Sequence, residues 1–244
     1  MSAGGAVAVT SGANAVSVAE HAMALLFAVA KQIVPLDAGL RAGRWDKPGF
    51  KRRELAGQSI GLFAFGAIAR QTGAFAKAFG MEVLACDPFA SDAQFAADGV
   101  MRVDTLDALC ARCEVISLHA PLTPATRGII NAERIALMKP DAILINTARG
   151  ALIDEDALCD ALAAGHLAGA GLDTFAQEPP PADHRYFAEP RVVISPHIGG
   201  VTTAANTRVG VEAAQAIVDH LAGRGIAPSR IVNRAALAPH TITA

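Results

Sequence analysis

Aromatic and charged side chains are scarce in this sequence. There is one Trp and one Tyr, charged residues make up 18%, and the formal net charge is −2. So small a charge excess supplies neither a basic face for a nucleic-acid backbone nor a field for trapping acidic substrates. Long hydrophobic runs are missing too. The longest, Ala22 to Ala30, falls well short of the ~20 residues a membrane-spanning helix needs. The opening MSAGGAVAVTSGAN has neither the basic start nor the apolar core of a signal peptide. A cytoplasmic protein with no nucleic-acid or membrane partner is the expectation. Cysteines occur only at 86, 110, 113 and 159. Cys110 and Cys113 form a CxxC, but no second pair or nearby histidine cluster completes a metal site, so they read as small core thiols and no metal is expected.

What is present is a large apolar fraction, 52%, dominated by alanine, in 244 residues, ample for a core. The chain is organised around QSIGLFAFGAIARQTGAFAKAFGMEVLACD, residues 58–87. Ile60 to Phe65 reads as a strand and Ala64-Phe65-Gly66 as a turn. From Ala67 apolar residues recur at helical spacing until Gly80, and Met81 to Cys86 is a second strand ending on Asp87. This is the strand–turn–helix–strand pattern of a dinucleotide-binding unit. The helix N–H groups after Gly66 point at the turn, where a pyrophosphate meets the positive end of the helix dipole. Asp87, 21 residues after Gly66, can accept the ribose hydroxyls of NAD. No arginine follows it to hold a 2′-phosphate, which favours NAD over NADP. The fingerprint is imperfect: Ala64 stands where the tight turn normally takes Gly, and Ala69 takes the last glycine position. Alone, the motif is as compatible with an ordinary strand–helix unit.

Along the chain, residues 6–9 read as a short strand and Ser11–Asn14 as a loop. Ser17 and Glu20 have capping-box spacing, ahead of a helix running to about Gln32. That helix is apolar on nearly all faces, which suggests a subunit interface and hence a homodimer. Residues 41–53 read as a basic surface connection carrying Trp45. Past Asp87 come a short helical stretch, Gly99–Val103, a helix at Thr105–Cys113 and a strand at Val115–Leu118. A helix at Asn131–Met138, a strand at Ala142–Ile145 and a helix at Asp154–Ala164 come next. Strands at Leu167–Leu172 and Val192–Ser195 and a long helix at Thr203–Ala222 complete the pattern. Alternating β and α with short connections predicts an α/β fold with a doubly wound parallel sheet.

Asp87, His119, Arg149, Asp173 and His197 each fall just past a different strand, where ligands bind in such sheets. Any one of them could be a local structural residue; five along one rim point to a site. The runs Ser17-Val-Ala-Glu-His21, Ser117-Leu-His-Ala-Pro-Leu-Thr123, Ile145-Asn-Thr-Ala-Arg-Gly150, Gly171-Leu-Asp173, Glu178-Pro179 and Ser195-Pro-His-Ile-Gly-Gly200 carry a more specific likeness. In them the chain resembles the D-isomer-specific 2-hydroxyacid dehydrogenases, which include phosphoglycerate dehydrogenases and hydroxypyruvate reductases. The resemblance implies a Rossmann-like NAD-binding domain with Arg149, Glu178 and His197 as catalytic trio. It implies NAD at Gly66, Ala67, Ile68, Asp87, Pro121, Thr147, Ala148, Asp173, Gly199 and Gly200, with Asp173 holding the carboxamide. Formate dehydrogenases of this family also carry Ala at the position of Ala64.

The trio makes chemical sense on its own. Arg149 offers a planar fork to a substrate carboxylate and a polarised carbonyl. His197 can exchange a proton with the substrate oxygen, and Glu178 would favour its imidazolium and fix its ring. The resemblance also implies a substrate-binding domain of on the order of a hundred residues ahead of Ala6. The expectation is therefore one NAD-binding domain over 1–244. Within it, 1–45 would be a dimerisation and hinge segment, and 225–244 a tail that returns to an absent substrate domain. Two functions stay open: a dehydrogenase of small D-2-hydroxy acids and their 2-keto acids, or an NAD(H)-binding dimeric module without turnover, as in the C-terminal-binding-protein corepressors.

Overall fold

The computed structural model describes residues 6–47 and 53–233. They form two compact units, one of residues 18–199 and one built from residues 6–17 and 200–233.

The elements run in chain order. They are α1 (Ala15–Lys31), α2 (Ile33–Arg41), β1 (Ser59–Phe63), α3 (Ala67–Ala78), β2 (Glu82–Cys86), α4 (Asp92–Ala97), β3 (Met101–Arg102) and α5 (Leu106–Arg112). Then come β4 (Val115–Leu118), α6 (Ala132–Leu137), β5 (Ala142–Asn146), α7 (Glu155–Ala163), β6 (Leu167–Leu172), β7 (Val192–Ile194) and α8 (Thr203–Leu221). In the larger unit the seven strands make one sheet in the order β3-β2-β1-β4-β5-β6-β7, every pair parallel. The doubly wound α/β expectation holds. The strand order reverses between β1 and β4, the place where such sheets open a crevice.

β1, β4 and β5 are buried at every residue, as strands covered on both faces must be. Successive side chains go to opposite faces. Ile143 and Ile145 join a cluster with Leu25, Leu26 and Val29 of α1 and Ile60, Leu62 and Val83. Leu144 joins another with Leu109, Ile116, Leu158 and Leu162. Three of the helices that cover the sheet, α5, α6 and α7, are closed by side-chain caps: Thr105, Asn131 and Asp154 accept the N–H groups of Ala108, Arg134 and Ala157 at 3.0–3.1 Å. Ser91 and Gln94 form a capping box on α4. Because all strands run one way, the residues after β1, β2, β4, β5, β6 and β7 end on one rim.

In the smaller unit, Thr202 caps α8 by accepting the Ala205 N–H at 3.1 Å. Ala8 pairs antiparallel with Ile231 in a single bridge, flanked by Val9 N–H to Arg230 C=O and Val232 N–H to Val7 C=O.

Several expectations change. The segment at 6–9 makes one bridge rather than a strand. α1 starts at Ala15, so Ser17 is not its cap; Ser17 is buried and its hydroxyl meets that of Thr202 at 2.8 Å. A tertiary partner has taken a residue whose spacing suggested a local one. α1 ends where Gln32 adopts a left-handed φ of 52°, and α2 continues at 59° to it. That second helix takes residues 33–41, to which no element was assigned. Of the expected connection at 41–53, residues 48–52 lie outside the described residues, as does the tail from 234. Most faces of α1 are buried within the chain itself; Val16, Glu20 and Ala24 remain exposed. The exposed apolar side chains nearby are Ile33, Val34 and Leu40 on α2 and Trp45 just after it. No single helix among the described residues is long and apolar enough to cross a membrane.

Candidate active site

The rim begins at the turn after β1. Ala64 sits at φ 70°, the left-handed conformation that accounts for glycine at this position in the usual fingerprint. Its N–H still reaches Cys86 C=O at 2.9 Å, so the turn closes, at a strain of roughly 1–2 kcal/mol. Ala64→Gly is therefore expected to leave stability unchanged or raise it by up to about 1 kcal/mol. Urea unfolding of the two chains checks this, and a clear loss would contradict the strain. Phe65 is buried and stacks on Phe95 at 4.8 Å, which anchors the turn. Gly66 is the N-cap of α3 and supplies no side-chain cap, and a Cβ built on it would meet nothing within 4 Å. The first N–H groups of α3, at Ala67 and Ile68, therefore face open space at the positive end of a helix dipole. Asp87 closes this corner: one carboxylate oxygen accepts the Phe65 N–H at 2.7 Å and the other the Phe89 N–H at 2.8 Å. Each oxygen keeps a lone pair for a further donor.

At the end of β4 the His119 N–H binds Phe63 C=O at 2.9 Å, and its ring lies 3.0 Å from the Ser117 hydroxyl. Burial pushes this imidazole down to about 4, so it is neutral at ordinary pH. Pro121 is exposed, and its C=O accepts the Thr126 hydroxyl at 2.7 Å. After β5 the fully buried Asn146 shapes the turn, donating to Arg149 C=O at 2.8 Å and accepting the Ala148 N–H at 3.0 Å. The Thr147 hydroxyl is buried with no partner. Arg149 is exposed and spends one N–H on Ala148 C=O at 2.6 Å. Gly150 then passes so close to the loop after β6 that a Cβ on it would lie 1.9 Å from the Phe175 carbonyl carbon. Only glycine lets the two loops touch, and this contact fixes Arg149 beside the loop that carries Glu178.

Glu178 and His197 are joined by a 2.7 Å hydrogen bond between Oε2 and Nδ1. The other Glu178 oxygen accepts the Phe175 N–H at 3.1 Å. Partial burial works against the charge of Glu178, but these bonds outweigh it and hold its carboxyl below the usual range. The two side chains are 38% and 46% exposed, so a substrate can reach them. They border a largely apolar cleft of about 420 Å³, within the range of small-molecule sites. His197 itself stands at φ 55°.

Asp173 is 1% exposed and accepts from Ser195 Oγ at 2.6 Å, the Ile198 N–H at 2.9 Å and the Gly199 N–H at 2.8 Å. Burial would raise its carboxyl, but donors from His21, Ser195, Ile198 and Gly199 pull it down to about 2. At most one Oδ2 lone pair is left for a carboxamide. Gly200 belongs to the smaller unit, where a Cβ on it would lie 2.7 Å from Asn14 Nδ2.

The larger unit thus brings Arg149, Glu178 and His197 to one rim with Asp87, Asp173 and the turn at Gly66. Sequence reasoning assigned no role to His21, Ser195, Asn146 or Thr174, whose buried hydroxyl also lacks a partner. His21 and Ser195 stood inside the matching runs, and a polar residue on an apolar helix was the available signal. Among the described residues no group of three or more His, Cys, Asp or Glu side chains is placed to hold a metal ion.

The model of the D-isomer specific 2-hydroxyacid dehydrogenase NAD binding domain matches residues 23–199. The chain belongs to that dehydrogenase family. D-3-phosphoglycerate dehydrogenase of Mycobacterium leprae (strain TN) is 42% identical over 210 residues, 86% of this chain and 39% of the relative. Hydroxypyruvate reductase of Thermotoga maritima is 42% identical over 214 residues, 87% of this chain and 69% of the relative. The solved TT0316 protein from Thermus thermophilus superposes with a TM-score of 0.83 at 36% identity, covering 93% of this chain and 71% of that one. A Granulicella formate dehydrogenase gives 0.86 at 27% identity, covering 93% and 61%. The chain spans about two fifths of the length of the phosphoglycerate dehydrogenases it matches.

The family's cofactor is NAD, and the residues at this rim fit it. Open space at Gly66 and the uncapped start of α3 suit a pyrophosphate. Asp87 has acceptors to spare for ribose hydroxyls, and the orphaned Thr147 hydroxyl suits a polar ligand.

Proposed function

We propose that this chain carries the NAD site and the reacting side chains of a dehydrogenase for small D-2-hydroxy acids and the matching 2-keto acids. The observation that carries the reading is the Glu178–His197 hydrogen bond at an exposed rim, with Arg149 on the neighbouring loop. When bound, NAD(H) takes up or supplies the hydride. His197 Nδ1 is committed to Glu178, which leaves Nε2 for the substrate oxygen. It donates a proton there as the keto acid is reduced and accepts one in the reverse direction. Glu178 stabilises the protonated ring and fixes its orientation. Arg149 has N–H groups to spare beyond its bond to Ala148, enough to take a substrate carboxylate in a fork. The cofactor would lie on Gly66, Ala67, Ile68, Asp87, Pro121, Thr147, Ala148, Gly199 and Gly200, with Asp173 beside the carboxamide. NADH absorbance followed with glyoxylate, hydroxypyruvate and pyruvate tests the activity. NADH binding with no oxidation by any of the three favours the module without turnover.

We infer that NAD is preferred over NADP, because the Asp87 carboxylate would face a 2′-phosphate. Fluorescence titration should give NADPH a dissociation constant at least about tenfold weaker than that of NADH, and equal affinities would sink the idea. A homodimer is supported by Ile33, Val34, Leu40 and Trp45, each more than half exposed on and after α2. Sedimentation should return about twice the 25.1 kDa chain mass; a monomer at micromolar concentration contradicts it. A cytoplasmic location is supported by four free, buried thiols.

A further inference from the structure

We infer that His21 and Ser195 are positioning residues, which hold His197 in place through the buried carboxylate of Asp173. The inference rests on the reading of His197 as the proton-exchanging group, and it concerns two side chains to which that reading gives no step: His21, and Ser195, which lines the cleft beside His197.

Proton counting sets the direction of the bonds. Ser195 has one hydroxyl proton, and its oxygen lies 2.6 Å from Asp173 Oδ1, a group that can only accept while ionised. The four donors around Asp173 keep it ionised. The Ser195 proton therefore points at Asp173. His21 Nε2 lies 2.7 Å from the same Ser195 oxygen, which can now only accept, so His21 must carry its proton on Nε2. The same nitrogen is 3.3 Å from Asp173 Oδ1. A directed chain results, from His21 Nε2–H to Ser195 Oγ–H to Asp173.

Its far end is the loop that carries His197. Three consecutive backbone N–H groups finish on Asp173: that of His197 on the carbonyl oxygen at 2.8 Å, that of Ile198 on Oδ1 at 2.9 Å and that of Gly199 on Oδ2 at 2.8 Å. Such convergence requires His197 to keep its left-handed φ of 55°, which a free loop would relax. Asp173 holds that backbone in place, while Glu178 separately holds the ring. His21 also lies directly beneath the loop. A Cβ on Gly199 would come within 2.9 Å of Asp173 Oδ2 and 3.3 Å of His21 Cδ2. α1 is a long helix in the core, so His21 gives the loop a fixed reference.

The test uses the full chain with His21→Ala, His21→Gln and Ser195→Ala. Amide exchange at residues 197–199 is measured by NMR alongside that of Leu144 in β5, together with NADH affinity and, where turnover is present, kcat and KM. Both alanine variants should speed exchange at Ile198 and Gly199 by about tenfold while Leu144 is unchanged, the effect of losing roughly one hydrogen bond. His21→Gln, whose amide can donate to Ser195, should restore protection to within about threefold. Turnover should follow the same order, with kcat falling and KM nearly constant. Wild-type exchange in both alanine variants overturns the inference. So does a glutamine variant that behaves like alanine, since bare packing would then explain the effect. Should His21→Ala fail to fold, Ser195→Ala decides, because it removes the middle of the chain without opening a cavity beside α1. If exchange behaves as expected but the wild-type chain binds NADH and reduces no 2-keto acid, the proposed activity falls and the positioning stands.

Discussion

His197→Ala is expected to lower 2-keto acid reduction by about 10²–10⁴-fold, the usual contribution of a positioned acid–base group. Affinity for NADH should stay within about twofold, because His197 is assigned to the substrate side of the site. Glu178→Gln should cost less, since glutamine can still hold the ring at Nδ1 but brings no charge to stabilise the imidazolium. The pH dependence carries a sign. The Glu178 carboxyl is held below its ordinary 4.5 despite partial burial, because His197 and the Phe175 N–H bind the charged form. Its contribution should therefore be complete above that value and fade only as pH falls further. Turnover indifferent to His197→Ala would refute the assignment, and a loss of NADH binding in the same variant would place His197 with the cofactor instead.

The strands and their order of alternation with helices are legible in the sequence because their side chains obey simple periods. β4 and β5 are short apolar runs, and the residue after each is polar because the chain leaves the sheet there. The same logic puts Asp87, Arg149, Asp173 and His197 on one rim from the sequence alone. What escaped was set by distant partners. Ser17 looked like a cap, yet it pairs with Thr202, 185 residues away. The helix expected to end near Gln32 does end there, but nothing signalled that the chain would bend at a left-handed Gln32 and continue as α2. Nothing in the sequence marks Gly150 as a contact glycine, and it is the distant Phe175 backbone that excludes a Cβ there. The imperfect fingerprint turned out to be geometric rather than chemical: Ala64 adopts the conformation glycine would have adopted, and the turn keeps its bond to Cys86.

Acid should unfold this chain through two carboxylates. Asp173 is held at about 2 against an ordinary 3.8 by its ring of donors, with burial opposing them. Glu114 is held at about 2 against 4.5, again against burial, by Lys139 and the hydroxyl and N–H of Ser59. Both shifts are downward, so the stability they contribute is fully present above the ordinary values and is lost as pH falls toward about 2. At about 1.4 kcal/mol per pKa unit, Asp173 contributes about 2 kcal/mol and Glu114 about 3, a large share of a typical domain's roughly 5–15. Asp173→Asn is the sharper test. An amide in that place must turn an NH₂ toward the Gly199 N–H or toward Ser195 and Ile198, setting donor against donor in a buried site. The expected cost is about 3 kcal/mol near neutral pH, read by urea unfolding. Part of the acid sensitivity should vanish with it, so the gap between variant and wild type narrows as pH approaches about 3. A gap that stays constant from neutral pH to about 3 would mean that Asp173 is not the charged hub of the His197 loop.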